Sequence, residues 1–385
     1  NRDVAHLTFP DEVQVLKVDP HKKASGPQGR ITSLEIAPPQ AAVDEAVGLL
    51  KKSKRPVIIV GHGARFNMDN ITAFAESLNA PVLTTFKGKG LISDHHPLGC
   101  GVLGRSGTPI ASWFMNEPDL LCVFGASFSN HTGITPKLPT IQVDFDPLAL
   151  SKFHSIDAAV WGEISVTIEI FQEKLKGQTD TVDQKPEVAQ RWEIWKKEKA
   201  KRLLEDRGKG VSSIAIFDAM NRHVPENAVI AVDVGNNTYS FGRYFEPTNQ
   251  SILMSGYLGS IGFGFSAAMG AWAAAPDRPI VAVAGDGGFT QYLGEMTTAV
   301  KYNMPIKLIL TNNSELGKIS KEQRAGEFDV WKTSLHNPNF ADFANNCGAL
   351  GIRVTEKDQL DEAMEKAFAH NGPAMVEVIA DVALI

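Results

Sequence analysis

Short apolar runs, each closed by Gly, Asp or Asn, alternate with stretches of helical periodicity along most of this 385-residue chain. "PVIIV" (56–60) ends at "GHG", and "APVLTT", "DLLCVFG" and "PTIQVDFD" follow. Helical patterns such as "AAVDEAVGLLKKS" (41–53) and "ITAFAESLN" lie between them. A strand that is apolar without alternation must be covered on both faces. Strand–helix alternation supplies that cover by building a parallel sheet with helices on each side. From residue 211 a second series starts, with "AVIAVDVG", "PIVAVAG", "PIKLILTNN" and "PAMVEVIA" as strands. Its helices are "SSIAIFDAMNRHV", "GSIGFGFSAAMGAWAAA", "FTQYLGEMTTAVKYN", "NPNFADFANNCG" and "DQLDEAMEKAFAH". The fold class expected is α/β: two doubly wound parallel-sheet domains, each three-layer α/β/α, joined by a charged helical linker.

The linker is "KPEVAQRWEIWKKEKAKRLLEDRGKG" (185–210), whose spacing of Trp192 and Trp195 suits a surface helix packing its tryptophans on a domain. The expected divisions are a central domain over 36–175, the linker over 176–210 and a C-terminal domain over 211–385. The start, "VAHLTFPDEV", reads as a last strand and its exit, and "DPHKKASGPQGR" as a turn-rich linker. Residues 1–35 are therefore expected to be the end of a larger N-terminal domain plus its connection.

Composition narrows the partners. The formal charge is −6, with no basic stripe, which excludes nucleic acid as a main partner. The three cysteines, Cys100, Cys122 and Cys347, have no CxxC spacing, so a reduced, cytoplasmic setting is expected, with all three as buried small apolar residues. No apolar run reaches the ~20 residues that span a bilayer. The tail "PAMVEVIADVALI" lacks the basic amphipathic helix of a surface anchor, so no membrane anchor is expected in this chain.

The chemistry concentrates at "VAVAGDGGFT" (281–290). An apolar run stops at Gly285, Asp286, Gly287 and Gly288. Glycines bring bare N–H groups close to an anion such as phosphate. A carboxylate there would repel that anion unless a cation lay between. Asn313 follows 27 positions after Asp286, at the end of the next strand. In a right-handed βαβ unit the two strand ends face one crevice. A carboxylate, an amide oxygen and a backbone carbonyl are hard ligands that suit Mg²⁺ and a diphosphate. Two other glycine patterns carry less. "GCGVLG" (99–104) spells G-x-G-x-x-G but follows "SDHHPL" rather than a strand, and "GHGAR" (61–65) suits a tight turn.

"GDGGFTQYLGEMTTAVKYNMPIKLILTNN" (285–313) resembles the signature of the thiamine diphosphate enzymes that act on 2-oxo acids. "YLGSIGFGFSAAMGA" is similar to the segment that grips the pyrimidine of that cofactor, and "AVDVGNNTYS" to one that reaches the diphosphate. "PVIIVGHGA", "TTFKGKG", "DLLCVFGASFS" and "QVDFDP" resemble the central domain of pyruvate oxidase and acetolactate synthase. The tail "NPNFADFANNCGALGIRV" is similar to the pyruvate oxidase branch.

The resemblance implies that Mg²⁺ is held by Asp286, Asn313 and the carbonyl of Glu315. It implies a diphosphate surrounded by Gly285, Gly287 and Gly288, by Ser314, Glu315, Leu316, Gly317, Lys318 and Ile319, and by Gly235 and Asn236. It further implies that Gly259 and Ser260 receive the aminopyrimidine and that Ile261 wedges the cofactor into a bent form, a task suited to a stiff β-branched side chain. FAD is a further cofactor implied for the central domain. Its lining would be Gly101, Val102, Leu103, Gly104 and Arg105, with Gly125, Ala126, Ser127, Phe128 and Ser129, and Asp144 on a ribose hydroxyl. The implied substrate is a 2-oxo acid, pyruvate first, in decarboxylation with oxidation. The alternatives are an acetolactate synthase-like carboligation, a flavin-free decarboxylase, or a non-catalytic cofactor-binding subunit. A homodimer or homotetramer is implied. In such enzymes a Glu of an N-terminal domain protonates the pyrimidine ring, so the catalytic Glu is expected outside this chain. Glu295 is a less suitable substitute and reads as a structural or interface residue. The 385-residue chain alone is accordingly expected to lack 2-oxo acid decarboxylase activity. A dehalogenase-type phosphatase reading of "DFDP" and "GDGG" fails, because Leu148 stands where Thr or Val belongs and no further Asp follows near Phe289 or Thr290.

Overall fold

The computed structural model describes residues 6–383 apart from 24, 25, 27, 28, 30, 106, 177 and 257. Residues 1–36 form one compact unit and residues 37–385 another. In the first, the only regular element among the described residues is the short helix Asp11–Gln14. The strand expected from "VAHLTFPDEV" is not formed over 6–10. Pro10 stands before the helix with φ −60°, and Asp11 and Glu12 fill the first turn. A proline and two acids favour a helix start over a strand end.

The second unit holds two six-stranded sheets. The strands of the first are β1 (Pro56–Val60), β2 (Val82–Thr84), β3 (Gly99–Val102), β4 (Leu120–Phe124), β5 (Thr140–Asp144) and β6 (Ala158–Trp161). Those of the second are β7 (Val229–Val232), β8 (Ser251–Met254), β9 (Ile280–Gly285), β10 (Ile306–Asn312), β11 (Leu350–Val354) and β12 (Ala374–Ile379). Their orders are β3-β2-β1-β4-β5-β6 and β11-β12-β10-β9-β7-β8. Every pairing is parallel. Helices cover both faces, giving the two three-layer α/β/α sheets that the alternation implies.

The strands absent from the sequence reading are β3, β6, β8 and β11, which are the four sheet edges. An edge strand lacks a neighbour on one side and needs no unbroken apolar run. β6 alternates buried and exposed residues, and β3 is "GCGV". "GCGVLG" therefore begins as an edge strand rather than as a loop. Four helices of eight residues or more were also not legible: Pro109–Asn116, Ile164–Leu175, Asn236–Tyr244 and Gly317–Ala325.

Each sheet has a point where neighbouring strands send their connections apart, which opens a crevice at their carboxyl ends. In the first sheet it lies between β1 and β4. There the Gly61 N–H donates to the Phe124 carbonyl at 2.9 Å and the Gly63 N–H to the Gly125 carbonyl at 3.0 Å. Backbone meets backbone, and a Cβ on Gly61 would stand 2.2 Å from the Gly125 oxygen. In the second sheet the crevice lies between β7 and β9.

The helix Lys185–Arg202 ties the two sheets together. The Trp192 indole N–H donates to the Gly99 carbonyl at 2.8 Å, and Arg55 pairs with Glu187 at 2.6 Å. Further along, Trp195 stacks on Tyr244 with centroids 6.0 Å apart, and Lys199 pairs with Glu246. Both tryptophans are buried.

Two glycine substitutions separate close approach from chain entropy. Gly61→Ala should cost about 1–3 kcal/mol, because the methyl group meets fixed backbone. Gly48→Ala, in the middle of the helix Gln40–Lys52 with nothing within 4 Å of the added methyl, should gain about 0.5–1 kcal/mol. Urea unfolding of the two variants measures both signs, and equal effects would contradict the packing described.

Candidate cofactor site

The apolar run of β9 is buried from Ile280 to Ala284. At its end the chain turns directly into helix: Asp286–Phe289 is α-helical and Thr290–Tyr292 is a 3₁₀ turn. Asp286 thus opens a helix rather than closing a strand, and "GDGG" is a helical turn rather than a loop. The long helix expected over 289–303 is broken into these turns and Glu295–Lys301. Glu295 opens that last segment and is half-buried.

The Asp286 carboxylate is almost fully buried, at 3 % exposure. Its Oδ2 accepts from the Ser314 N–H and from the Asn337 amide, both at 2.7 Å. Its Oδ1 accepts from the Gly287 N–H at 2.9 Å. Burial pushes its pKa above the usual carboxylate range, and the Asn337 and backbone donors offset part of that rise. On the facing strand, β10 ends at Asn312, and Asn313 follows it. The Asn313 Oδ1 accepts from the Glu315 N–H at 3.1 Å. Ser314 adopts φ +54°, which turns its N–H toward Asp286. The Glu315 carbonyl accepts from Gly317 at 2.8 Å and keeps one lone pair. Asp286 and Asn313, chosen from sequence spacing, and Glu315, implied by the resemblance, therefore lie at two adjacent strand ends joined by the Ser314–Asp286 hydrogen bond.

The third wall comes from β7. Asp233 is fully buried just after it. Its carboxylate accepts from Val234 at 2.6 Å and from Gly262 at 2.9 and 3.1 Å. Burial raises its pKa, against the pull of these N–H groups. Asp233 thereby fastens the 258–262 segment to the end of β7. Gly288 packs on the same carboxylate: a Cβ there would stand 2.6 Å from Asp233 Oδ2. Gly235 and Gly285 both face the Asn237 side chain, at 2.9 and 3.5 Å from their notional Cβ positions. Gly317 approaches Asn236 so closely that a Cβ would lie 2.5 Å from its Nδ2. That Nδ2 is buried and has no hydrogen-bond partner. Gly287 contacts Leu316. Gly259 and Ser260 are exposed, Ile261 is half-buried, and Ile319 is 47 % exposed. Lys318 pairs with Glu322 at 2.5 Å and lies 5.2 Å from the Tyr239 ring centroid.

These walls form a crevice edged by two buried carboxylates, amide oxygens, a backbone carbonyl and an orphaned amide N–H. Among the described residues no group of three or more His, Cys, Asp or Glu could hold a metal alone. A hard-oxygen set with too few protein donors fits a cation that draws its remaining ligands from a phosphate and water, as Mg²⁺ does. The glycine approaches and the unpartnered Asn236 donor fit the anion. Asp233, Asn237, Asn312 and Asn337 were missed by sequence reasoning. Asp233 had a visible signal, a carboxylate closing an apolar run in "AVDVG". Asn337 had none, since it reaches Asp286 across 51 positions.

In the first sheet, the Arg105 N–H donates to the His131 carbonyl at 3.4 Å, and Gly104 abuts the same oxygen. The 101–105 and 125–133 segments are thus brought together. Gly101 packs on Thr108. The side chains of Val102, Leu103, Ala126 and Phe128 are buried. Arg105, Ser127, Ser129 and Asp144 remain accessible to a ligand. Asp144 caps no helix; its Oδ1 accepts from the Asp146 N–H at 2.9 Å in a turn after β5.

Comparison with known proteins agrees with this geometry. The family described as "Thiamine pyrophosphate enzyme, C-terminal TPP binding domain" matches residues 233–378. "Thiamine pyrophosphate enzyme, central domain" matches residues 43–171. The chain belongs to the thiamine pyrophosphate enzyme family. It is 31 % identical over 348 residues to the acetolactate synthase large subunit of Haemophilus influenzae, covering 85 % of this chain and 59 % of that protein. It is 29 % identical over 345 residues to that of Cyanidium caldarium, covering 86 % and 58 %. It is 27 % identical over 359 residues to the acetolactate synthase isozyme 2 large subunit of Escherichia coli K12, covering 90 % and 64 %. The chain spans 58–64 % of the length of these curated relatives.

Asp144 gives the candidate lining a pH signature. Burial raises its pKa to about 6 from 3.8. The folded state therefore holds the proton more tightly, and stability falls as pH rises from about 4 through 6. Asp144→Asn keeps the turn acceptor without the charge. It should raise stability by the order of 1 kcal/mol at pH 8 and leave it unchanged at pH 3.5. Denaturation at the two pH values measures this, and an equal effect at both would contradict the burial of that carboxyl.

Proposed function

We propose that this chain holds the diphosphate and metal of thiamine diphosphate for an acetolactate synthase-like carboligation of 2-oxo acids, pyruvate first. The observation that carries the cofactor reading is the pairing of Asp286 with the segment after β10, beside an amide donor with no partner. The relatives' names support carboligation over the pyruvate oxidase reading. The bound cofactor supplies an electron sink for the 2-oxo acid after loss of carbon dioxide.

The residues of this chain bind and orient. Asp286, the Asn313 amide oxygen and the Glu315 carbonyl hold Mg²⁺. The Asn236 amide and the helix starting at Gly317 face the diphosphate, where free N–H groups and the helix dipole favour an anion. Gly259 and Ile261 flank the pyrimidine and the bend. Leu258 and Tyr292, exposed at 87 % and 44 %, border the same segment and await cover that would exclude water. The proton transfer at the pyrimidine is assigned to a Glu of an N-terminal domain, not to Glu295, and the whole protein works as a homodimer or homotetramer. FAD takes second place, since four of its eleven implied lining residues have side chains in the core.

Asp286→Ala should abolish Mg²⁺-dependent binding of thiamine diphosphate in calorimetric titration, and unchanged affinity would overturn the assignment. For the reaction, the protein as its gene encodes it should turn pyruvate into carbon dioxide and a condensed hydroxy-keto acid without an electron acceptor. Turnover that requires an acceptor and yields acetate would favour the oxidase reading. Visible flavin absorbance of the purified protein would restore FAD.

A further inference from the structure

Glu377 is a charged residue in the middle of β12, an interior strand, with no exposure at all. Nothing in the cofactor reading uses it. In register it stands beside Leu310 of β10 on one side and Arg353 of β11 on the other. Arg353 Nη1 donates to both of its oxygens, at 3.2 and 3.1 Å. The Ala341 N–H donates to Oε2 at 3.0 Å. The remaining partner is the Asn312 amide, whose Nδ2 donates to Oε1 at 2.7 Å.

That last bond decides the direction of a chain of amides. An ionised carboxylate only accepts, so Asn312 must present its NH₂ to Glu377. Its Oδ1 is then turned the other way, where it accepts from Asn337 Nδ2 at 2.9 Å and from the Ser314 N–H at 3.3 Å. Asn337 Nδ2 is shared with Asp286 Oδ2 at 2.7 Å. Flipping Asn312 would set its NH₂ against two donors. Asn312 is buried and Asn337 half-buried, and both line a cavity of about 390 Å³. Their hydrogen bonds set which end of each amide faces Glu377 and which faces Asp286.

We infer that Glu377 is a positioning residue of the metal site, acting through Asn312 and Asn337 to fix the Asp286 carboxylate for Mg²⁺. The inference rests on the cofactor reading above. Groups that orient a metal ligand typically account for 10–100-fold in metal affinity.

The test is a double-mutant cycle on Mg²⁺ affinity, read by titrating Mg²⁺ into protein with thiamine diphosphate in a calorimeter. Thermal melts of the metal-free proteins are recorded beside it. Glu377→Gln can present either its oxygen or its NH₂ to Asn312 and should weaken Mg²⁺ by roughly 10-fold. Asn337→Ala, in a half-buried loop position, should weaken it by a similar factor. Because both act along one chain, the double variant should be no weaker than the weaker single variant. Should Glu377→Gln fail to fold, Glu377→Asp, which draws the acceptor back from Asn312 and keeps the charge for Arg353, takes its place. Unchanged Mg²⁺ affinity in both single variants, or losses that multiply in the double variant, would overturn the inference. Absence of Mg²⁺-dependent binding in the unaltered protein would instead overturn the cofactor reading.

Discussion

Two carboxylates buried at neighbouring strand ends govern this site. A buried carboxylate must be met by donors or lose its charge. Asp233 after β7 and Asp286 after β9 meet that demand with donors drawn from other segments: Gly262 for the first, Ser314 and Asn337 for the second. Each acid therefore fixes a piece of chain remote in sequence. Together they place the 258–262 segment, the 286–288 turn and the 313–317 segment around one crevice.

The sheet order makes this possible. β7 and β9 are hydrogen-bonded neighbours whose connections leave in opposite directions. The corresponding place in the first sheet is filled by the contact of Gly61 and Gly63 with Gly125. Paired glycines fill the switch point of the first sheet, whereas at that of the second the Asp233 carboxylate meets Gly262 and Gly288. The tryptophan-bearing helix contacts the layers of both sheets.

The interior strands were legible because burial on both faces favours largely apolar runs, and the eight interior strands of the twelve were the ones read from the sequence. The four edges were missed. The metal-binding candidates were legible because a βαβ unit converts fixed spacing into proximity. The residues that orient them were not. Asn337 and Glu377 reach the site through sheet order and loop return, which no local pattern encodes. Glu377 even looks anomalous in "PAMVEVIA" until Arg353 is seen beside it on the neighbouring strand. The mistaken strand over 6–10 came from reading apolar content without weighing Pro10. The preference for an oxidase came from the tail "NPNFADFANNCGALGIRV", whereas the relatives reported above are acetolactate synthase large subunits.

The most direct measurement is the position of the metal. Crystals grown with thiamine diphosphate and Mn²⁺ in place of Mg²⁺ give an anomalous signal that marks the ion without reference to mechanism. The account predicts one strong peak coordinated by the Asp286 carboxylate, the Asn313 amide oxygen and the Glu315 carbonyl, with diphosphate oxygens completing the shell. A cofactor bound with its ion elsewhere, or seated away from the ends of β7, β9 and β10, would contradict it.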